Sequence, residues 1–320
     1  MQSLLLTGAT GFLGRNILPQ LRAKFSHVAR LSRSADCEIC CDLAAEVPVL
    51  LSRFDVVVHA AGKAHTLPVC EAEVQEYFDV NVSGTRNLCA ALEKSGVPSA
   101  LVFISTVAVY GCESGLMIDE SNPLNGSTPY AQSKIQAEEL LRDWCARHSV
   151  VLTILRPALI AAPDAPANLG DMIRGIRSGR YADIAGTSAQ RSLVAAADFA
   201  EIIPRIAQIG GTYNVSYPQG ISYRTLSTMI AEALGKRAPR TIPLRLARLL
   251  AAAGDAVNAL PSPLKRHLPK PPITTPRLRK FTAPLTFSSE KLLATLPDFH
   301  PSLITPALLL SECSDLNVKN

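Results

Sequence analysis

The chain has no uninterrupted apolar run long enough to cross a bilayer. Its most apolar stretch, Leu244 to Leu260, is broken by Arg245, Arg248, Asp255 and Asn258, whereas a spanning helix needs about 20 predominantly apolar residues. No membrane insertion is expected. The eight cysteines, at 37, 40, 41, 70, 89, 112, 145 and 313, have no framework spacing. No apolar signal segment precedes the first apolar run, so reduced thiols in a cytoplasmic protein are expected. Cys37-x-x-Cys40-Cys41 has no answering Cys or His cluster, so no metal is expected. Internal repeats are absent. Strong charge is absent too: a formal +5 over 320 residues is too little to argue for nucleic acid, and suits an anionic small molecule as well. What remains, at 48% hydrophobic and 18% charged residues, is an ordinary globular chain long enough for one large or two modest domains.

The chain is organised around its start, where the apolar run Leu4 to Leu6 leads into Thr7-Gly8-Ala9-Thr10-Gly11-Phe12-Leu13-Gly14. Three glycines at three-residue spacing let the backbone turn sharply and approach a ligand, since no Cβ intervenes. Arg15 to Lys24 can form a helix whose first amides point back at the turn, which favours a pyrophosphate there. In outline this is a dinucleotide site, with G-x-x-G-x-x-G spacing in place of the commoner G-x-G-x-x-G.

Further along, Val28 to Leu31 reads as a second strand ending in Ser32-Arg33-Ser34. An acidic residue at that place would accept from a ribose 2'-hydroxyl; a small polar residue followed by arginine suits a 2'-phosphate, so NADP is preferred over NAD. Glu38 to Cys41 reads as a third strand and Asp55 to His59 as a fourth, followed by the small residues Ala60-Ala61-Gly62. His59 and His65 are expected to be packing or surface residues. Two helices follow, with Asn81 near the start of the second. Ala100 to Ile104 is apolar on both faces, as at the centre of a parallel sheet covered by helices, and Ser105 and Thr106 stand at its carboxyl end, where open parallel sheets bind ligands.

Tyr130-Ala131-Gln132-Ser133-Lys134 opens another helix, putting a phenol and an ammonium at i and i+4 on one face. The ammonium is expected to lower the phenol's pKa from about 10 and make Tyr130 a proton donor or acceptor near neutrality. Glycine turn, hydroxyl at a later strand end, and Tyr-x-x-x-Lys occur in an order that converges on one cleft.

These segments resemble the extended short-chain dehydrogenases/reductases, in the NAD-dependent epimerase/dehydratase family that acts on nucleotide sugars. The likeness is carried by Thr7 to Gly14, Val58 to Gly62, Asn81 to Leu88, Phe103 to Gly111, Pro129 to Lys134 and Leu155-Arg156-Pro157. It implies an α/β fold: a Rossmann doubly wound parallel sheet over 1–157, completed by segments near 191–215, with a smaller substrate-binding lobe over 158–320. It implies Thr106, Tyr130 and Lys134 as the catalytic trio, with Thr106 and not Ser105 at the hydroxyl position by its distance from Tyr110-Gly111. Along the cofactor it places Gly8, Thr10, Gly11, Phe12, Leu13, Gly14, Ser32, Arg33, Asp42, Leu43, Ala60, Ala61, Gly62, Asn81, Tyr130, Lys134 and Pro157. Asn168 and Arg191 resemble residues that meet the substrate diphosphate, where arginine's forked donors suit the task. Ile160-Ala161-Ala162-Pro163 departs from the family's usual Gly-Pro after the sixth strand.

The reaction implied is hydride transfer at C4 of a nucleotide sugar. Ser32-Arg33 favours a 4-keto-sugar reductase over an internally recycling 4-epimerase, and Val107 and Ala108 stand where a dehydratase would want acids. A dinucleotide-binding regulator without turnover is the alternative from another class. A homodimer paired through the tyrosine helix and its neighbour is implied. Asp198 reads as an N-cap, Gly211 to Val215 as a further strand, and Tyr223 to Leu234 as a helix. Leu244 to Leu260 is expected to pack on the substrate lobe, with a lipid-surface helix as the alternative because the basic tract Lys265 to Lys280 follows. Pro261 to Pro276 reads as a loop beside the cleft.

Overall fold

A computed structural model describes residues 2–64, 68–187, 189–259 and 273–310; His65 and most of the Pro261 to Pro276 stretch lie outside the described residues. Seven parallel strands form the central sheet: β1 (Ser3–Thr7), β2 (His27–Ser32), β3 (Ile39–Cys40), β4 (Val56–His59), β5 (Ala100–Ile104), then Val151–Pro157 and Gly211–Val215. Their spatial order runs Gly211–Val215, Val151–Pro157, β5, β4, β1, β2, β3. From β1 the chain winds outward through β2 and β3, then returns to the other side of β1 at β4. The crevice between the carboxyl ends of β1 and β4 is therefore the switch point where doubly wound sheets bind ligands.

Period-two side-chain alternation loads both faces of the sheet. Leu4, Leu6, Val56, Val58, Ala100 and Val102 pack against α1 (Phe12–Lys24) and the helix Ala196–Ile206. After α2 (Glu71–Phe78), the helices α3 (Gly84–Ser95) and α4 (Pro129–His148) cover Leu5, Val57, Leu101 and Phe103 on the opposite face. Leu88, Leu92 and Leu141 are fully buried there, each worth roughly 2 kcal/mol of apolar transfer. This two-sided covering explains the unbroken apolar strands.

Asn81 lies near the start of α3, as expected, buried in a π-helical turn, Asp79–Ser83, that joins α2 to α3. Two sequence expectations change. Asp198 is not an N-cap. Ala195 holds that position, and the Asp198 carboxylate instead accepts from the amide and hydroxyl of Ser302. Of the segments near 191–215, only Gly211–Val215 joins the large sheet, along Val151–Pro157. Leu193–Ala195 pairs with Leu159–Ala161. Gln190–Arg191 lies in a four-stranded sheet with Gly115–Ile118, Ile221–Ser222 and Leu285–Phe287, so the lobe draws strands from both sides of residue 157. Short strands separated by long connections let the chain cross between layers, which no local pattern marks. Leu244–Ala259 is a helix, packed through Ala247 and Ala251 on Leu278 and the neighbouring isoleucines 184, 242 and 273.

Candidate active site

The glycine-rich turn connects β1 to α1 at the switch point. Gly8 has φ +68°, and a Cβ there would lie 2.6 Å from the Ala61 amide nitrogen, so the ends of β1 and β4 touch only because Gly8 has no side chain. A Cβ on Gly14 would lie 2.3 Å from the Gly8 carbonyl oxygen, which lets α1 begin directly against the turn. Gly11, the residue before α1, offers no side-chain cap, and the helix has no acid in its first turn. The first amides of α1 are thus left for an anion. A cradle without side chains at an uncapped helix start fits a dinucleotide pyrophosphate.

At the end of β2, Ser32 is buried, accepts from the Thr10 hydroxyl at 3.1 Å and from the Ser34 amide at 3.0 Å, and contacts Cys37 Sγ at 3.3 Å. Arg33 beside it is exposed. Asp42 is exposed and Leu43 buried, with the Leu43 carbonyl accepting from Asn87. Ala60, Ala61 and Gly62 follow β4 along the same rim, Phe12 and Leu13 open α1, and Pro157 closes its strand there. The structure thus assembles the rim residues along one edge.

The trio is positioned by two helix starts. Thr128 caps α4 by accepting from the Ala131 amide at 3.2 Å, and Pro129 takes the first helical position, its ring supplying the helical φ. Tyr130 therefore sits at the very start of α4, half-buried, its ring 6.1 Å from that of Tyr77. Thr106 caps the short 3-10 turn Val107–Tyr110 through the Ala108 amide. Ser105 points the other way and donates to Glu138 at 2.5 Å. Lys134, buried one turn along α4, donates from Nζ to the Ile104 carbonyl at 2.9 Å and lies 4.6 Å over the Phe103 ring. A Cβ on Gly62 would be 3.1 Å from that ammonium, so the β4 rim closes over it.

The electrostatics correct one expectation. Burial pushes the Tyr130 phenol up to about 12, with a hydrogen bond to Thr106 opposing it; Lys134 does not lower it, because its ammonium faces the end of β5. Burial pulls Lys134 itself down to about 8, against the raising influence of Glu138.

Sequence reasoning missed the support beneath these residues. Glu138, fully buried, accepts from Arg156 Nε at 3.0 Å and Nη2 at 2.6 Å, and from Arg142 at 2.8 Å. Arg156 continues to the Tyr110 hydroxyl, which donates to Asn214. An arginine within an apolar strand was the available signal, since a buried charge requires a partner. His59 is also buried, and burial lowers its pKa to about 3, so the ring is neutral. Thr85 donates to the Asn81 carbonyl, hence accepts from His59 Nε2 at 2.9 Å, leaving Nδ1 to accept from Thr7 at 2.7 Å. Thr7 in turn accepts from the Ala61 amide. The Asn81 amide group binds the Lys63 backbone in both directions and donates to Ser133. Asn81 therefore ties the β4 rim to α4.

The two expected diphosphate contacts lie in the lobe. Asn168 is exposed in the first turn of the helix Ala167–Arg177. The Arg191 guanidinium stacks 5.2 Å from the Tyr223 ring and donates to the carbonyls of Ala283 and Lys280, which hold it in the lobe's own structure. Among the described residues, no three His, Cys, Asp or Glu side chains are grouped to hold a metal.

A doubly wound sheet with a glycine cradle at its switch point and a Tyr-x-x-x-Lys helix at the same rim defines an NAD(P)-binding oxidoreductase of the short-chain dehydrogenase/reductase type. A family model described as NAD dependent epimerase/dehydratase family matches residues 4–216, and the chain belongs to that family. It is 29% identical over 307 residues to the N-acetyl-alpha-D-glucosaminyl-diphospho-ditrans,octacis-undecaprenol 4-epimerase of Escherichia coli O157:H7, covering 91% of this chain and 88% of that one. It is 26% identical to the GDP-6-deoxy-D-mannose reductase of Pseudomonas aeruginosa, over 72% of this chain and 80% of that one. The fold matches that of the Thermus thermophilus UDP-glucose 4-epimerase in complex with NAD, with a TM-score of 0.69, 22% identity and 96% of each chain covered.

Proposed function

We propose that the protein catalyses hydride transfer at C4 of a sugar carried on a diphosphate, as an NADP-dependent 4-keto-sugar reductase. The observation that carries this reading is the convergence of Tyr130, Thr106 and Lys134 on the rim that the glycine cradle opens. The nicotinamide, when bound, supplies hydride. Tyr130 supplies the proton to the sugar oxygen, and a phenol held above its ordinary pKa is fully protonated at neutral pH, as the reductive direction requires. Thr106 donates to the same oxygen as charge develops on it. Lys134 holds the cofactor ribose; burial pulls its pKa down to about 8, still above neutrality, so it keeps its charge at pH 7. The exposed Arg33 beside Ser32 supports NADP, since its fork suits a 2'-phosphate.

A second reading is the NAD-dependent 4-epimerase, in which the same residues remove and return the proton. It is favoured by the relative that matches this chain over 91% of its length. The experiment is cofactor stoichiometry. NADPH consumption with a nucleotide 4-keto-6-deoxysugar supports the reductase; interconversion of 4-epimers with retained NAD and no net consumption replaces it with the epimerase. Dinucleotide binding without either activity would leave a non-catalytic regulator. We place the enzyme in the cytoplasm as a homodimer paired through α4 and a neighbouring helix, which light scattering of the purified protein tests.

A further inference from the structure

The helix Leu244–Ala259 has its side chains distributed the wrong way round for a helix covering a core. Its inward face carries the small residues Ala247, Ala251 and Gly254. Leu246, Leu249 and Leu250 face solvent, 47%, 69% and 46% exposed. Their spacing of three and four puts them on one side of the helix, and Ala253, also exposed, extends the stripe by a turn. Other large exposed apolar residues, such as Ile209 and Leu303, stand singly or in sequential pairs, as on any soluble surface.

Charge says what covers the stripe. Arg245 and Arg248 are exposed on the same helix. Arg240 lies on the strand leading into it, and Arg279 and Lys280 lie on the helix Thr275–Thr282, whose Leu278 packs on Ala247 and Ala251. The one carboxylate described between 236 and 282, Asp255, is engaged in accepting from the Thr275 amide. A second copy docking about a two-fold axis would bring these cations against themselves. A protein partner of mixed charge would leave most of them unmatched. An anionic lipid surface satisfies both features at once, taking leucines into the acyl boundary and arginines against phosphates.

We propose that the stripe Leu246, Leu249 and Leu250, flanked by Arg245, docks the protein on an anionic bilayer, with the helix lying in the plane of the interface. At 16 residues with charges in its first turns the helix lies on the membrane and does not cross it. This association is separate from the hydride chemistry and stands whichever direction that chemistry runs.

The test is co-sedimentation of the full chain with vesicles of equal parts phosphatidylglycerol and phosphatidylcholine, beside vesicles of phosphatidylcholine alone. The protein is expected to pellet with the anionic vesicles and to be released by salt. Arg245→Gln is expected to weaken binding about fivefold, as for one cation near an anionic surface. Leu246→Gln, Leu249→Gln and Leu250→Gln together are expected to weaken it about 100-fold through lost apolar burial. Both variants should keep wild-type melting temperature and dinucleotide binding, since the altered side chains are exposed. Wild-type protein left in the supernatant with anionic vesicles overturns the proposal. So does a leucine variant that pellets like wild type, or one that merely converts a wild-type dimer into monomers without any vesicle binding in either protein.

Discussion

Removing the Glu138 charge tests whether the rim rests on a buried ion pair. Glu138 is fully buried and Arg156 is 3% exposed, so Glu138→Gln leaves a guanidinium in the protein interior with one neutral acceptor in place of a carboxylate. Breaking one side of such a pair costs about 3–5 kcal/mol, because the surviving charge keeps its desolvation penalty. For a chain of this length the unfolding entropy near the midpoint is roughly 0.7 kcal/mol per degree, giving a fall in melting temperature of about 4–7 °C at neutral pH.

The pH dependence has a definite sign. Burial raises the Glu138 pKa, but hydrogen bonds and charge from Arg156 outweigh it and hold the group below its ordinary 4.5. The contribution is therefore complete above 4.5 and is lost as pH falls through the lower folded value. Wild type and Glu138→Gln should differ most at neutral pH and converge in acid. Glu138→Leu with Arg156→Met, which removes both charges, should recover more than half of the loss. Calorimetry from pH 7 down to about 2, past the lowered folded value, reads all three. A single variant within about 1 °C of wild type at neutral pH, or a difference that widens in acid, would refute the argument.

Other substitutions address the site itself. Tyr130→Phe should retain dinucleotide binding and lose about 10²–10⁴-fold in turnover; steady-state rates at saturating cofactor decide it, and an active variant removes the proton role. Arg33→Ala should weaken NADPH roughly 10- to 100-fold and leave NADH nearly unchanged, as expected for one charge-assisted hydrogen bond; equal losses in fluorescence titrations would remove the cofactor preference. Gly14→Ala would drive a Cβ into the Gly8 carbonyl, displacing α1 at a cost of about 1–3 kcal/mol. Dinucleotide binding should fall sharply, and a variant that binds like wild type would show that the cradle is not the pyrophosphate site.

The expected trio rests on local signatures. A glycine turn after an apolar strand and a Tyr-x-x-x-Lys face each follow from neighbours in sequence. Asn81 was placed near the start of α3, but its burial in a π turn was not legible, since a π turn moves side chains to another face without changing the apolar pattern. The raised pKa of Tyr130 was not legible at all. Sequence spacing gives the separation of phenol and ammonium along a helix, but burial and the carbonyl at the end of β5 decide which of them feels the other.

The order of residues by itself determined the strands and their two-sided burial, the glycine cradle, and the placement of Tyr130 and Lys134 one turn apart on one helix, because these rest on interactions a few residues apart. Tertiary structure alone decided that Glu138 meets Arg156, that His59 lies neutral between Thr7 and Thr85, and that Arg191 binds lobe carbonyls. Those contacts join segments separated by 18 to 92 residues. Their partners are chosen by the winding of the sheet, and desolvation in the interior then fixes which protons and charges they hold.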